Sequence, residues 1–215
     1  MSPPRYALYF LPETDSALDR LGRAWIDGVA ADLTAEARVY GFHATLKAPF
    51  RLADDQDEAA LRAACAAFAA TQAPLAEGPP TLALLDDFYA LRPGAPSATL
   101  QTLAAECVRR FDPFRAPLNP AEKAKRLRTP LTPRQRQFLD QWGYPYVLDE
   151  YRFHLTLTRR LSPAEIPAVE QVLRPLTAEA VTEPLAVRSL CLMHQPAGGG
   201  FSMLARYPLE GACAS

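Results

Sequence analysis

The order of hydrophobic and polar positions along this 215-residue chain predicts a mixture of strands and helices. Arg5 to Leu11 is dense in aromatic and aliphatic side chains, which favours a strand. Apolar positions three and four apart predict a helix over residues 16–31. The acidic start and many alanines of residues 54–71 predict a second helix. The other predicted elements of this half are two short strands and a helix, over about 80–86, 88–92 and 96–111.

The second half of the chain repeats that order of elements. Thr132 and Pro133 form a favourable N-cap and first-turn pair, and the helix they open is predicted to end at Gly143. Ser162 begins another predicted helix, which ends near Leu176. The longer predicted strands are 41–48 in the first half and 151–159, 185–193 and 201–207 in the second. The repetition indicates an α+β fold whose two halves pack as pseudo-symmetric lobes.

One pentapeptide occurs twice, each time inside a predicted strand. It reads Phe-His-Ala-Thr-Leu at residues 42–46 and Phe-His-Leu-Thr-Leu at residues 153–157, and it holds two of the chain's three histidines. Side chains alternate between the faces of a strand, so a histidine and a threonine two positions apart point the same way. Two such strands facing one cleft would bring two imidazoles and two hydroxyls together.

This set of side chains suits the hydrolysis of a phosphodiester, especially a cyclic one. Imidazole has an unperturbed pKa of about 6.5, so one ring can be neutral and its twin protonated near neutral pH. His43 and His154 are therefore candidates for the general base and the general acid. The hydroxyls of Thr45 and Thr156 can donate hydrogen bonds to phosphate oxygens, and Lys47 adds a candidate cation on the same strand face.

Aromatic side chains near the motifs are further candidates. Tyr40 and Tyr151 lie beside the motif strands and either bind substrate or pack. In the first strand, the alternating stripe of Tyr6, Leu8 and Phe10 favours the core, which leaves Tyr9 on the more open face.

His194 is the third histidine, and it matches neither motif. It precedes a Pro/Gly turn, which favours a solvated or structural role. A zinc site of His43, His154 and His194 is an alternative, but the motif places a hydroxyl where a metal site has a second histidine or a carboxylate. We therefore expect no metal and no other cofactor.

Residues 109–136 carry a local excess of positive charge. The stretch holds nine basic residues against Asp112 and Glu122, and its five prolines predict a loop-rich connection. Such a stretch is either a solvated face or a flap that collects phosphate, with Lys125, Arg126 and Arg128 as candidate contacts.

Composition narrows the class of protein. A formal net charge of -1 gives no global attraction for nucleic acid or an anionic membrane. No apolar run approaches the roughly 20 residues of a membrane helix. The N-terminus runs directly into a predicted strand, so we expect no signal peptide. The four cysteines are scattered without metal-ligand spacing, and we expect a cytoplasmic protein whose thiols are reduced: Cys65, Cys107, Cys191 and Cys213.

With both motifs in place, the chain resembles the 2H phosphoesterase superfamily, which is named for two such histidine motifs. The segments RYALYFLP, YGFHATLKAPFRL and GYPYVLDEYRFHLTLT resemble its bacterial phosphonate-metabolism branch, of the DUF1045 type, over most of the chain. The resemblance implies one bilobal domain over residues 1–215, with an antiparallel sheet and flanking helices in each lobe around a central cleft. The expected divisions are a first lobe of about 5–110, a connection of about 109–131 and a second lobe of about 132–207.

The resemblance also implies an activity. It implies metal-independent hydrolysis of a cyclic phosphate or related phosphodiester, with His43 and His154 as the acid–base pair and Thr45 and Thr156 as phosphate ligands. The branch is associated with carbon–phosphorus lyase pathways, so a ribose cyclic phosphate is the expected substrate. Oligomeric state is left open.

Two other functions remain alternatives. One is an RNA-processing enzyme acting on 2′,3′-cyclic or 2′-5′ linkages, which the basic stretch favours and the net charge disfavours. The other is a non-catalytic sensor that binds a nucleotide or phosphonate. Two retained histidines speak against the sensor, because arginine or lysine would serve binding alone.

Overall fold

The computed structural model describes residues 3–29 and 31–212, so Cys213 lies outside the described residues. The nine strands of the described chain are β1 (Arg5–Phe10), β2 (Ala44–Phe50), β3 (Leu75–Glu77), β4 (Pro80–Leu85), β5 (Phe88–Pro93), β6 (Leu155–Thr156), β7 (Leu185–Val187), β8 (Ser189–Gln195) and β9 (Ser202–Pro208). Its α-helices are α1 (Ala17–Arg23), α2 (Ala35–Arg38), α3 (Glu58–Thr71), α4 (Ala98–Arg110), α5 (Pro120–Arg126), α6 (Pro133–Trp142) and α7 (Ile166–Thr177).

The strands form two antiparallel sheets and a separate strand pair. The first sheet has the order β2-β1-β8-β9, the second has the order β4-β5-β6, and β3 pairs with β7. Each motif strand is therefore at an edge: β2 ends the first sheet and β6 ends the second. This mixed, antiparallel architecture agrees with the predicted fold class.

The sheets do not follow the predicted division into lobes of about 5–110 and 132–207. β8 and β9, from the end of the chain, pair with β1 and complete the first sheet, whereas β6 pairs with β5 from the first half. The predicted division followed the repeated order of elements along the chain. β8 runs as five consecutive buried residues between β1 and β9, as expected for a central strand that is covered on both faces.

Local sequence signals account for most helix boundaries. The side chains of Asp57, Ser97 and Thr132 accept hydrogen bonds from backbone N–H groups at the starts of α3, α4 and α6. α6 ends at Gly143, whose φ of 72° is the left-handed conformation that glycine adopts without steric cost. The basic stretch contains a short helix, α5, that the prolines concealed: Asn119 and Glu122 form a capping box around Pro120 at its first turn.

Two predicted elements are shorter than expected. The first helix stops at Arg23 and continues as a π-helical turn, Ala24–Val29, where the indole N–H of Trp25 donates to the carbonyl of Leu157. The second motif strand covers only Leu155–Thr156 of the predicted 151–159, because the N–H groups of Leu157 and Thr158 both donate to the carbonyl of Tyr89 and the ladder ends there.

The alternation along β1 divides the core as predicted. Tyr6, Leu8 and Phe10 belong to the main hydrophobic cluster between the sheets and helices, whereas Ala7 and Tyr9 belong to a small cluster on the opposite face. Tyr9 is nevertheless only 1% exposed, so that face is covered. A search of the described helices for one with the length and apolar character of a membrane span found none.

Candidate active site

The first motif places a histidine and a threonine side by side at the start of β2. The His43 Nδ1–H donates to the carbonyl of Gly41 over 2.8 Å, and Gly41 has a φ of 75° that turns this carbonyl back toward the ring. The His43 Nε2 and the Thr45 Oγ1 are 3.3 Å apart. The ring stacks on Tyr9 with 3.9 Å between ring centroids and an interplanar angle of 24°, which fixes its orientation.

The second motif repeats this arrangement at β6. The His154 Nδ1–H donates to the carbonyl of Arg152, again two residues earlier and again over 2.8 Å. The ring contacts Phe88 of the neighbouring strand, with centroids 5.7 Å apart. A carbonyl can only accept, so in both neutral imidazoles Nδ1 carries the proton and Nε2 has a lone pair that can accept one, which in His43 accepts a hydrogen bond from the Thr45 hydroxyl. Both rings are thus held in the tautomer of a general base.

Both pairs face one cavity, which we call the histidine cleft. It has a volume of about 540 Å³, within the usual range for small-ligand sites, and its lining includes His43, Thr45, His154 and Thr156. Across the cleft, the Tyr151 hydroxyl donates to the backbone carbonyl of Thr45 over 2.9 Å. This hydrogen bond links Tyr151, which lies just before the second motif, to β2, the edge strand of the first sheet.

Burial makes both histidines weaker bases than free imidazole. Burial in the cleft lowers the pKa of His43 to about 4, the Gly41 carbonyl opposes that shift, and the charge of a protonated His154 adds to it. Burial also lowers the pKa of His154, and the Arg152 guanidinium lowers it further. Desolvation disfavours the charged form of both rings, so in the protein by itself both histidines favour the neutral form near neutral pH.

A second cavity opens from the same residues, and we call it the basic chamber. It measures about 290 Å³ and shares His43, Thr45, Ala48, Tyr144 and Val147 with the histidine cleft. Six basic side chains line it against Glu122 as its one described carboxylate: Arg5, Lys47, Arg51, Arg115, Lys125 and Arg126. The cleft and the chamber together form one continuous depression with a neutral, histidine-bearing part and a cationic part.

The sequence-predicted residues divide between these two cavities. Tyr151 lines the histidine cleft, whereas Tyr40 and Lys47 line the basic chamber. Lys47 is 4% exposed, its ammonium donates to the Val108 carbonyl over 3.1 Å, and burial lowers its pKa to about 8. Lys47 is thus held at the chamber's base.

Arg128 does not join the site. Its side chain is exposed and lines neither cavity, because α5 ends at Arg126, two residues before it. His194 also lies outside both cavities, on β8, with its ring 5.1 Å from that of Tyr6. Within residues 3–29 and 31–212, no group of three or more His, Cys, Asp or Glu side chains is placed to hold a metal ion.

Sequence reasoning missed three residues of the site. Tyr9 carries the His43 ring, and the β1 alternation pointed to that face without identifying the stack. Arg152 lines the cleft two positions before His154, where the first motif has Gly41, so the motif comparison contained a signal for it. Tyr144 forms part of the wall between the two cavities, and no local pattern marks it.

One family model and two curated proteins match most of this chain. A family model described as "Protein of unknown function (DUF1045)" matches residues 45–202. A protein named ribose 1,5-bisphosphate phosphokinase PhnN, from Janthinobacterium sp. (strain Marseille), is 37% identical over 98% of this chain and 52% of its own length. Its namesake from Laribacter hongkongensis is 34% identical over 94% of this chain and 51% of its own length. The chain spans about half the length of these curated relatives.

Solved structures share the fold at low sequence identity. The crystal structure of E. coli LigT complexed with 3′-AMP has a TM-score of 0.53 and 17% identity, and the alignment covers 97% of this chain and 99% of LigT. The structure of TT0787 from Thermus thermophilus has a TM-score of 0.50 and 14% identity, with 97% and 100% covered. These matches confirm the 2H phosphoesterase-like fold that the resemblance implied.

Proposed function

The chain belongs to the family described as DUF1045, and we propose that it is a phosphoesterase that hydrolyses a cyclic phosphate or a related phosphodiester. The observation that carries this proposal is the duplicated histidine–threonine pair facing one cleft. In each copy the histidine Nδ1–H donates a hydrogen bond to the backbone carbonyl two residues earlier. A structural role for the histidines would not require the same tautomer and the same neighbouring hydroxyl in both copies.

In the proposed reaction, water adds across one P–O bond. One imidazole Nε2 takes a proton from water as its oxygen bonds to phosphorus, and the other imidazole gives a proton to the alkoxide that leaves. The products are a phosphomonoester and a free hydroxyl, and proton exchange with solvent resets the pair. Thr45 and Thr156 donate to the non-bridging oxygens, where negative charge accumulates in the transition state.

The acid needs a proton that burial in the cleft disfavours. A bound phosphodiester places a negative charge between the rings, and an opposite charge within about 4–6 Å raises the pKa of an imidazole. Substrate binding thereby recruits one proton to the pair and leaves the second ring neutral. The lowered pKa of His43 and His154 ensures that the protonated acid forms chiefly when the anion is present.

A phosphorylated ribose is the proposed substrate class, in phosphonate metabolism. Relatives that match this chain over half their length carry a name that refers to ribose 1,5-bisphosphate, which supports a ribose phosphate ligand. The volume of the histidine cleft, about 540 Å³, accommodates a sugar phosphate. We propose that the enzyme acts without a metal ion, since the two imidazoles supply both proton transfers.

Substitution of the motif residues tests the proposal against a panel of cyclic phosphates. We expect His43→Ala and His154→Ala each to lower kcat by about 10²–10⁴-fold, the usual contribution of one acid or base. Thr45→Ala and Thr156→Ala should lower it less, because each removes one hydrogen bond. His194→Ala is the matched control, since His194 lines neither cavity. Circular dichroism and thermal melts establish that each variant folds.

The same panel separates the alternatives. Turnover of ribose cyclic phosphates in EDTA supports the metal-free enzyme, and loss of turnover on chelation contradicts it. Preference for an oligonucleotide with a 2′,3′-cyclic end would favour the RNA-processing enzyme. Tight binding of every compound without turnover would favour the sensor and overturn the proposal.

A further inference from the structure

The basic chamber holds more positive charge than the proposed hydrolysis uses. Of the four side chains proposed to act on the reacting phosphate, His154 and Thr156 line only the histidine cleft, whereas His43 and Thr45 lie where the cleft and the chamber meet. A cavity lined by basic side chains can bind an anion of its own, because cations gathered in a concave site focus an attractive field on anions.

Half of the chamber's cations are already neutralised by neighbours. Arg51 pairs with Glu122 over 3.0 Å, Arg115 pairs with Asp112 over 2.8 Å, and Lys47 lies 3.6 Å from the same Asp112. These three are parts of the protein's own ion-pair network. Most of their hydrogen-bond donors are already used within the protein. These three side chains would therefore attract an anion by their charge rather than bind it by direct hydrogen bonds.

The other three cations have no such partner. Arg5, Lys125 and Arg126 form no ion pair with any described carboxylate, although Arg5 donates to the Gln195 side chain over 2.7 Å. The charge of Arg5 nevertheless acts on the Glu122 carboxylate and lowers its pKa, which leaves Lys125 and Arg126 as the lining cations that no described carboxylate balances. An anion is the ligand that completes this arrangement.

Two of these three cations lie over aromatic rings, and the Arg5 guanidinium is 5.7 Å from the ring centroid of Phe201. The Arg126 guanidinium lies 4.8 Å from the ring centroid of Tyr144, and Tyr144 lines both cavities. A fixed guanidinium loses less entropy on binding phosphate than a free one. Trp142, which also lines the chamber, has a buried indole N–H that finds no acceptor among the described residues.

We propose that the basic chamber is a second phosphate subsite, which binds a phosphomonoester carried by the same substrate molecule. This inference rests on the proposed function for the position of the reacting phosphate, and it narrows the substrate to a sugar bearing a cyclic phosphate and a separate monoester phosphate. The monoester is recognised by Arg126 and Lys125, to which Arg5 adds positive charge, while the cyclic phosphate lies between the histidines.

The test compares two substrates in one variant. Turnover is measured for a ribose cyclic phosphate with a phosphate on its 5-hydroxyl and for the same compound without that phosphate. We expect Arg126→Gln to lower kcat/KM for the phosphorylated compound by about 10- to 100-fold, the effect of one charge-assisted hydrogen bond. The loss is confined to that compound. Arg128→Gln, which removes the same charge two residues away from a side chain outside both cavities, is the control.

A binding assay distinguishes failure of the subsite from failure of the hydrolysis. Ribose 5-phosphate is titrated calorimetrically, and we expect Arg126→Gln to weaken its binding while His154→Ala retains it. If no cyclic phosphate is turned over but this pattern appears, the subsite stands and the proposed function falls. Equal loss for both substrates, or equal ribose 5-phosphate binding by wild type and Arg126→Gln, overturns the subsite.

Discussion

The half-buried His43 ring favours its neutral state, which predicts a specific loss of stability in acid. In the folded protein its pKa is about 4, whereas an unfolded chain has the ordinary histidine value of about 6.5. Between these two values the unfolded state binds more protons than the folded state, so the free energy of unfolding falls as the pH falls. The contribution is fully retained above 6.5 and is lost as the pH drops toward 4.

The magnitude follows from the two pKa values. At about 1.4 kcal/mol for each pH unit between about 4 and about 6.5, they correspond to roughly 3 kcal/mol in the limit of low pH. Between about pH 7 and about pH 4.5, the loss that His43 alone causes is roughly 2 kcal/mol. That is a large fraction of the roughly 5–15 kcal/mol typical of a native domain.

The assay is urea unfolding at both pH values for wild type and His43→Asn. Every other titrating group is common to the two proteins, so the difference between their pH dependences isolates His43. We expect His43→Asn to lose roughly 2 kcal/mol less than wild type over this interval. If wild type and His43→Asn lose stability in parallel, the His43 ring is well solvated and the account of a neutral resting pair is refuted.

Two further predictions concern binding and positioning. Binding of dimethyl phosphate, a diester anion that does not titrate near neutral pH, should at about pH 7 take up close to one proton per site, because the anion raises the lowered pKa of the histidine pair. Calorimetry in buffers of different ionisation enthalpy gives this number, and a value near zero would contradict it. Tyr151→Phe removes the hydrogen bond to the Thr45 carbonyl and should lower the free energy of unfolding by about 1 kcal/mol. It should also lower kcat more than it changes KM, and unaltered kcat in a destabilised variant would assign Tyr151 a purely structural role.

The candidate site was predictable from sequence where the information is local. The spacing of His43 and Thr45, and of His154 and Thr156, places each pair on one side of the chain, and their Nε2–Oγ1 proximity in the first motif follows from that spacing. The i−2 carbonyl contact is local as well, but it depends on Gly41 adopting a positive φ in one copy, and the motif letters do not contain that conformation.

Long-range features were not predictable in the same way. Chain order suggested that each half folds into its own lobe, yet β8 and β9 complete the sheet of β1 and β2. Strand pairing depends on which hydrophobic faces cover each other, and many pairings satisfy one alternation pattern. The preference for Arg126 over Arg128 in the chamber is equally non-local, because it depends on where α5 ends relative to Tyr144.

The position of both motifs on edge strands explains how one chain builds a cleft from two sheets. An edge strand has backbone groups without a partner on one side, and such edges ordinarily pair with whatever strand meets them. Here β2 and β6 are the edges that line the cleft, and they remain in separate sheets. The Tyr151 hydroxyl occupies the Thr45 carbonyl, so a side chain satisfies one edge group in place of a neighbouring strand. Because β1 and β5 hold the two edges from behind, through ladders that use both halves of the chain, the imidazoles are positioned before any ligand arrives. In the proposed reaction, such preorganisation would let a bound phosphodiester raise the pKa of one imidazole without a rearrangement of the backbone.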